Sequence, residues 1–305
     1  CRYADIREAI RRHPADFIVL VIPPQFREEY VDIAIASGLD IVCEKPLADS
    51  MEACARICRK VRAAGRKLAV TMSHRMEVEK QTVEQIVRSG QYGKLNYLYS
   101  RLDIRHGPYD AIQTPEKYVT ECLVHNLDTV RGVSGSNAKS VYAKFWPHAD
   151  NGSFIGMSGF TMVEMDNGVH AMLEESFANG SSLDGWSDEH LRAECTYATI
   201  VADHRAVTVR SDCGLPFPRE AQMPHAKGAH WDHALIVRSF IEWIDGGKPP
   251  VTDLEDNLQC AALMFAAIQS ARTGQPIDVQ EYLRVHIGKG RLTTPAEGGM
   301  PHGQT

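Results

Sequence analysis

The segment Glu44-Lys45-Pro46 places a charged amine directly after a short apolar run. Residues 39–43 are typical of a strand in a parallel sheet, and Pro46 ends such a strand because it lacks a backbone donor. Open α/β sheets bind their ligands at the carboxyl ends of the strands. A lysine held there can donate to a substrate oxygen or stabilise developing negative charge. The alternative interpretation is a solvated lysine that follows a strand.

A second group of ionisable residues comprises Glu121, His125 and Asp128, which follow one another at helical spacing. Residues four and three positions apart share a helix face. A histidine flanked by two carboxylates would have its imidazolium form stabilised and its ring orientation fixed, which suits proton abstraction from an alcohol. The alternative is a surface histidine in a salt-bridge ladder with Arg131.

Three aromatic or imidazole side chains, together with Asp128, are candidates for substrate contacts. Trp186 follows Asp184-Gly185 in a predicted loop, where it could stack on a sugar face or simply pack. His230 and Trp231 precede a late helix. The histidine could reach a substrate, whereas packing is the more common role for such a tryptophan.

Alternating helices and strands are predicted for residues 1–73. A continuous apolar run from Phe17 to Ile22 is typical of a strand buried on both faces, and two more strands end at Lys45 and span Lys67–Met72. Helices are expected at 5–12, 28–37 and 50–64. This β-α-β-α-β order predicts a parallel sheet with right-handed crossovers.

From about residue 94 the pattern changes to longer strands joined by hairpins, which indicates an antiparallel sheet. Asn167-Gly168 predicts a type I′ turn because this pair accepts positive φ, and Asp203-His204 predicts a second tight turn. The expected strands are 94–103, 138–146, 159–165, 169–177, 193–202 and 205–210, and the expected helices are 120–132, 232–245 and 253–273.

Composition limits the classes of function that remain. The 305 residues carry a net charge of −6, with 44% hydrophobic and 24% charged residues, close to the average of soluble globular proteins. Neither a basic nucleic-acid surface nor a membrane span is predicted. The eight cysteines match no zinc spacing, so free thiols, a cytoplasmic location and no metal site are expected. Because the chain opens at Cys1, a signal segment further upstream is left open.

Taken together, these segments resemble the Gfo/Idh/MocA oxidoreductases, the family of glucose–fructose oxidoreductase and inositol dehydrogenase. Each segment is weak alone, but the set is fairly specific and follows the family's order between about residues 3 and 280. The segments are Val21-Ile22-Pro23-Pro24, Glu44-Lys45-Pro46, His74-Arg75, Ser89-Gly90-Gln91-Tyr92-Gly93-Lys94, His125-Asn126-Leu127-Asp128, Gly246-Gly247-Lys248-Pro249-Pro250 and Ser270-Ala271-Arg272-Thr273-Gly274.

The resemblance implies a fold that combines the α/β and α+β classes. A partial Rossmann-type parallel sheet domain would span residues 1–74. An open-faced, predominantly antiparallel sheet domain with helices on one face would span 75–287, and 288–305 would be a flexible tail. The active site would lie between the domains, and the open sheet would join the subunits of a homodimer or homotetramer.

The resemblance also assigns catalytic roles to matching positions. Lys45 would be the catalytic lysine near the nicotinamide, and His125 would be the proton-transferring histidine. Glu121 stands four residues before that histidine, where many members carry aspartate. The change keeps the charge but adds a methylene, so Glu121 could touch the substrate or only orient His125.

The cofactor, NAD or NADP, would lie at the carboxyl ends of the strands. Pro23 and Pro24 would line it and Glu44 would lie near its ribose, while His74 and Arg75 follow a strand at the same edge. The family's Gly-x-Gly-x-x-Gly loop does not occur in the 305 residues, and the residue that separates NAD from NADP is missing with it. Either the sequence begins inside the domain, which we expect, or the protein does not bind a dinucleotide in the family manner.

The leading interpretation is therefore an NAD(P)-dependent oxidoreductase that transfers hydride between a nicotinamide and a hydroxyl of a sugar, polyol or related cyclic alcohol. Lys45 would polarise the oxygen, His125 would exchange its proton and Glu121 would assist. Two alternatives stay open. One is a non-catalytic sensor or regulatory member of the family, and the other is redox-assisted glycoside cleavage in which the cofactor is recycled within one turnover.

Overall fold

The structure is a computed structural model that describes residues 5–105, 114–150, 153–226 and 232–288. Within these residues, three strands form one sheet and nine form a second. The helices are α1 Ile6–Arg12, α2 Arg27–Ala36, α3 Met51–Ala63, α4 Val78–Arg88, α5 Pro115–Tyr118, α6 Val124–Ser134, α7 Asp232–Ile244, α8 Leu254–Thr273 and α9 Val279–Ile287. The strands are β1 Phe17–Leu20, β2 Asp40–Glu44, β3 Leu68–Thr71, β4 Leu95–Asp103, β5 Ala138–Asp150, β6 Ser153–Met165, β7 His170–Ser176, β8 His190–Cys195, β9 Thr199–Asp203, β10 Ala206–Arg210, β11 Glu220–Met223 and β12 Ile277–Asp278.

The first sheet is parallel, in the order β1-β2-β3, as the apolar runs predict. Helix α3 is capped by Ser50, the first residue of the helix predicted at 50–64, whose hydroxyl accepts a hydrogen bond of 3.3 Å from the amide of Ala53. The opposite face of the sheet is covered by α7, whose Phe240 packs edge-on against Phe17 with ring centroids 5.5 Å apart. Phe240 is also buried against Val42 and Ala69. Both faces of β2 and β3 are therefore covered by helices, which explains their apolar residues. The expectation that β1 is also buried on both faces is wrong, because this edge strand leaves Val19 48% exposed.

The second sheet has the order β11-β10-β9-β8-β4-β7-β6-β5-β12 and is antiparallel except where β4 and β7 run parallel. The single strand predicted at 193–202 is wrong, because β8 and β9 form a hairpin there. The amide of Thr196 donates to Lys94 (3.0 Å) and that of Tyr197 to Tyr92 (2.9 Å), so these residues pair with the segment before β4 and interrupt the strand.

The type I′ turn is observed at a different hairpin from the one predicted. At Asn167-Gly168 only the glycine has a positive φ, of 83°. The Asn167 side chain instead accepts from the amide of Val169 and donates to the carbonyl of Ser134. His204 and Arg205, with φ of 47° and 60°, form a two-residue turn of the I′ kind between β9 and β10. The second tight turn is thereby confirmed.

One face of the large sheet carries helices, and the other is open. The predicted helix at 120–132 is longer than expected, since it runs through α5, a π-helical turn at Val119–Leu123, and α6. Gly135, in the left-handed conformation, ends it. The predicted helices at 232–245 and 253–273 correspond to α7 and α8. Among the described residues, none of the helices combines the length and apolarity that a bilayer crossing requires.

The division of the chain at residue 74 stays a prediction, and residues 289–305 of the predicted tail lie outside the described residues. The described cysteines are all free, as their spacing predicted. Helix α8 lies at the centre of the molecule, because its largely buried surface contacts α3 on one side and α6 and β5 on the other. It thereby fixes the first sheet against the helices that cover the second.

Candidate active site

Lys45 and Glu121, two of the predicted catalytic residues, are in direct contact. Lys45 follows the last residue of β2, and its Nζ donates to the Glu121 carboxylate at 3.0 Å and to the Glu121 carbonyl at 3.0 Å. The lysine side chain is 14% exposed and that of Glu121 is 39% exposed. The amine is therefore fixed at the junction of the first sheet and the helical layer of the second, with the carboxylate reaching solvent.

His125 lies in the first turn of α6 and is 4% exposed. Its ring stacks on that of His74, with centroids 3.8 Å apart and planes 12° apart. Trp186 meets both rings edge-on, at 4.9 Å from His74 and 6.0 Å from His125. The structure thus brings together three residues that were singled out separately in the sequence.

The expectation that Glu121 and Asp128 flank His125 is wrong. Glu121 lies in the π-helical turn, where the wider spacing breaks the i, i+4 relation, and its carboxylate pairs with Lys45. Asp128 pairs with Arg131 instead. The alternative of a ladder between His125 and Arg131 on a helix surface is also wrong, since both residues are buried.

The electrostatic environment of His125 favours the neutral ring. Burial, followed by the nearby charges of His74 and Lys45, holds the pKa of His125 well below its usual range. This corrects the expectation of a stabilised imidazolium. Nδ1 of His125 makes no hydrogen bond to the described residues. A buried polar atom of this kind calls for an explanation, and a functional site is one of the accepted ones.

A buried ion pair stands behind the stacked rings. Nδ1 of His74 contacts one carboxylate oxygen of Glu189, and Nζ of Lys80 contacts the other. Lys80 also donates to the carbonyl of Ser187 at 3.1 Å. Burial by itself would raise the pKa of Glu189, but the charges of Lys80 and His74 lower it well below the ordinary value. Glu189 is therefore an ionised carboxylate inside the protein.

Arg75 and Asp128 belong to a different set of contacts, here called the arginine–aspartate cluster. Its members are Arg75, Asp128, Arg131 and Asp256. Arg131 lies 3.1 Å from Asp128 and 3.0 Å from Asp256, and Arg75 lies 3.6 Å from Asp128. These ion pairs join α6 to the N-terminal turn of α8. The structure thus places Arg75 and Asp128 in this cluster rather than beside the imidazole rings.

Comparisons with known proteins agree with this architecture. Residues 2–72 match the GFO_IDH_MocA model, described as an oxidoreductase family with an NAD-binding Rossmann fold. The chain is 34% identical to the uncharacterized protein y4oX of Sinorhizobium fredii, over 91% of this chain and 80% of that protein. It is 31% identical to an inositol 2-dehydrogenase of Klebsiella pneumoniae, over 91% of this chain and 81% of that protein.

The chain belongs to the Gfo/Idh/MocA oxidoreductase family. The predicted family and its enzyme class, an oxidoreductase with a nicotinamide cofactor, are thereby confirmed. The fold agrees with that of an oxidoreductase from Agrobacterium radiobacter solved with NAD+, L-tartaric acid and magnesium. That structure has a TM-score of 0.75 and 19% identity, over 92% of this chain and 84% of that chain.

The residues predicted to contact the cofactor lie at the carboxyl-terminal edge of the parallel sheet. Pro23 and Pro24 follow β1, and Glu44 and Lys45 follow the buried part of β2, so these residues share one edge of the sheet. Glu44 is half-buried, and His233 of α7 lies 3.4 Å from its carboxylate. Burial would raise the pKa of Glu44, but His233 turns the net effect downward. An ionised carboxylate at this edge suits hydrogen bonding to ribose hydroxyls.

Sequence reasoning missed three residues that position this site. Arg27 is completely buried and donates to the carbonyls of Ile22 and Glu44, which ties together the ends of β1 and β2. Lys80 and Glu189 were missed because a single charge in a helix or loop is indistinguishable from a solvated one. His230 and Trp231 lie outside the described residues.

Proposed function

We propose that this oxidoreductase is an NAD(P)-dependent dehydrogenase that acts on a hydroxyl of a sugar, polyol or related cyclic alcohol. The observation that carries the proposal is the pairing of a fixed amine with a buried neutral imidazole at the cofactor edge of the parallel sheet. Lys45 is close enough to act on the pKa of His125, and its contact with the Glu121 carbonyl holds it over the turn that precedes α6.

The two side chains have complementary tasks. Lys45 donates to the substrate oxygen and stabilises the negative charge that develops when the hydroxyl loses its proton. His125 is neutral at physiological pH because its pKa is low, so it is ready to accept that proton. Bound NAD(P), along Pro23, Pro24 and Glu44, would supply the hydride acceptor. The Glu121 carboxylate accepts a hydrogen bond from the amine of Lys45 and orients it.

The indole of Trp186 beside the two imidazole rings supports a sugar or polyol substrate. Trp186 is 46% exposed, and its indole plane is 84° from the planes of the His74 and His125 rings. An exposed indole next to hydrogen-bonding groups suits a ring with an apolar face and polar edges. One relative of the chain is an inositol 2-dehydrogenase, whose named substrate is a cyclic polyol.

The test is the appearance of reduced nicotinamide when the protein is supplied with NAD or NADP and a panel of inositols, hexoses and linear polyols. We expect net reduction of cofactor with at least one cyclic polyol, and loss of that activity in Lys45→Met and in His125→Ala. Near-wild-type turnover in both variants would overturn the assignment. Product without net reduced cofactor would favour redox-assisted glycoside cleavage, and ligand binding without product would favour a sensor.

Self-association through the open face of the large sheet is part of the same proposal. Trp146 and Phe160 pack on this face with ring centroids 6.1 Å apart, and Met162 beside them is 53% exposed. An exposed apolar area of this kind on a sheet is typical of subunit contacts. In sedimentation velocity, we expect Met162→Lys to shift the protein toward monomer. Val285→Lys on α9, an apolar position that is 67% exposed, is the control. A wild-type protein that sediments as a monomer at micromolar concentration would contradict the proposal.

A further inference from the structure

The stacked imidazoles differ from the usual arrangement in which a catalytic histidine is hydrogen-bonded to a carboxylate. The ring planes of His74 and His125 are 12° from parallel and their centroids are 3.8 Å apart. The N–H bonds of an imidazole lie in the plane of its ring, so neither ring can donate to the other in this geometry. His74 therefore acts on His125 through contact and electrostatic field, and a proton cannot pass directly between the rings.

The position of His74 is fixed from behind. Glu189 is ionised, and a carboxylate only accepts hydrogen bonds, so Nδ1 of His74 must carry the hydrogen that points to it. Lys80 occupies the other oxygen of Glu189 and the carbonyl of Ser187. With both oxygens of Glu189 engaged, the tautomer of His74 at Nδ1 and the orientation of its ring are determined.

The ion pair itself needs an explanation. The side chains of Lys80 and Glu189 are 2% and 3% exposed. Buried ion pairs are often no more stabilising than apolar residues of the same volume, because desolvation offsets the attraction. Stability is therefore a weak reason for this pair, and its contact with His74 suggests a functional one.

We propose that His74 is a positioning residue for proton transfer: its stack fixes the plane of the His125 ring, and its bond to the Glu189–Lys80 pair sets the charge that faces that ring. The inference rests on the proposed function in one respect, that His125 is the base. The positioning itself is a property of the four side chains.

The charges around His125 explain why His74, Lys80 and Glu189 are all needed to position it. The groups that face it are Lys45 after β2, His74 after β3, Lys80 on α4 and Glu189 before β8. Glu189 alone favours the imidazolium, whereas His74, Lys45 and Lys80 oppose it. An unpaired Glu189 would thus draw a proton onto His125. Lys80 and His74 neutralise that carboxylate while using it to hold the stack.

The decisive variant is His74→Phe, which keeps an aromatic ring on His125 but removes the hydrogen bond to Glu189. Glu189 retains Lys80, so no buried charge is left unpaired and the protein is expected to fold. The titration of His125 is followed by NMR of its imidazole carbons, and kcat/KM is measured against pH. We expect the His125 midpoint and the acid limb of kcat/KM both to rise by about one pH unit.

The control is His190→Phe. His190 is one residue from Glu189 but pairs with Asp203, 3.2 Å away, and we expect neither measurement to change. A second variant, His74→Gln, keeps a donor for Glu189 and loses the stacked ring. We expect it to raise the His125 midpoint as well and to lower kcat more than His74→Phe does, because the ring plane is no longer held.

The two possible failures can be told apart. An unchanged His125 midpoint in folded His74→Phe and His74→Gln would overturn the inference, whatever the activity. A raised midpoint with an unchanged acid limb would support the positioning role and would show instead that His125 is not the base, which refutes the proposed function.

Discussion

Two buried sets of charges lie side by side in this protein and are built from neighbouring residues, yet they differ in how their charges are matched. His74 and Arg75 are adjacent, and His125 and Asp128 share the first turns of α6. The first residue of each pair enters the site cluster, and the second enters the arginine–aspartate cluster. The site cluster consists of Lys45, His74, Lys80, Glu121, His125 and Glu189.

The difference lies in what each group faces. In the arginine–aspartate cluster, Asp128 has a guanidinium from Arg131 and another from Arg75 within 3.6 Å. His125 in the site cluster has an imidazole stacked on its face, an indole nearly perpendicular to it, and no ion pair with the described residues. The ion pairs of the arginine–aspartate cluster hold helices together, although burial still raises the pKa of Asp128 to about 6. The imidazole of His125 has no such counter-charge among the described residues, so it is left neutral and able to react.

The largest effect is expected for Lys45→Met in the site cluster, which should lower turnover. Loss of a donor to a developing oxyanion lowers kcat by about 10²–10³-fold. The melting temperature should change little, because the partner of Lys45, Glu121, is 39% exposed and such ion pairs contribute at most about 1 kcal/mol. Steady-state kinetics and differential scanning calorimetry measure the two effects. A large fall in melting temperature with kcat preserved would instead show that Lys45 stabilises the fold and is not needed for turnover.

Asp128→Asn in the arginine–aspartate cluster should have the opposite effect, because it should lower stability rather than turnover. It removes the carboxylate that Arg131 and Arg75 share, while Asp256 still pairs with both, so we expect a loss of about 1–3 kcal/mol of unfolding free energy. We expect a clear fall in the urea midpoint and near-wild-type kcat/KM in the fraction that stays folded. The control is Glu164→Gln, whose partner Lys139 is on the surface. Lost turnover at unchanged stability would instead support the prediction from the sequence that Asp128 contacts the substrate.

Local sequence patterns correctly predicted features that depend only on residues close together in the chain. The apolar runs located β1, β2 and β3, and therefore the carboxyl-end position of Lys45. The helix predicted at 50–64 begins beside Ser50, whose hydroxyl satisfies a backbone amide three residues away. The turn at Asn167-Gly168 was assigned to the wrong type because the asparagine side chain donates to the carbonyl of Ser134. Turn propensities do not take account of such a contact with a residue distant in sequence.

The site needed information that the sequence pattern lacks. The contact between Lys80 and Glu189 joins residues 109 positions apart, so neither residue signals the other. The relation between Glu121 and His125 was predicted from an ideal helix, and the π-helical turn removes it. Such turns are not encoded in periodicity, and here the turn lets both the carbonyl and the carboxylate of Glu121 reach Lys45.

A smaller effect is expected for Glu121→Gln, which tests how the site cluster holds its amine. The backbone carbonyl of residue 121 still accepts from Lys45, so only the charged half of the contact is lost. We expect kcat to fall about tenfold, or about 1.4 kcal/mol, with the melting temperature unchanged. Glu121→Asp keeps the charge and should recover part of the loss. Equal kinetics for the amide and the shorter acid would show that the carboxylate does not orient Lys45.

Glu175 belongs to neither cluster and shows what a buried carboxylate does without a counter-charge. It lies on the helix-covered face of β7, and neither of its oxygens completes a hydrogen bond to the described residues, although the Tyr118 hydroxyl is near. Burial raises the pKa of Glu175 well above its ordinary value, and Glu189 adds to the effect. The folded protein thus holds this side chain protonated where the unfolded chain would ionise it.

Glu175→Gln should therefore stabilise the protein, but only above the pH at which an unfolded glutamate ionises. Because the folded pKa is raised, the stability associated with the protonated carboxyl is complete below about pH 4.3 and is lost as the pH rises toward the folded pKa. The amide does not titrate, so wild type and variant should melt together at pH 4. At pH 8 the variant should be more stable by about 1 kcal/mol, or about 2 °C. Glu174→Gln, on the opposite face of β7, is the matched control and should show no such pH dependence. A variant that is less stable than wild type at pH 8 would mean that Glu175 is ionised in the folded protein, and that this region also contains an unmatched charge.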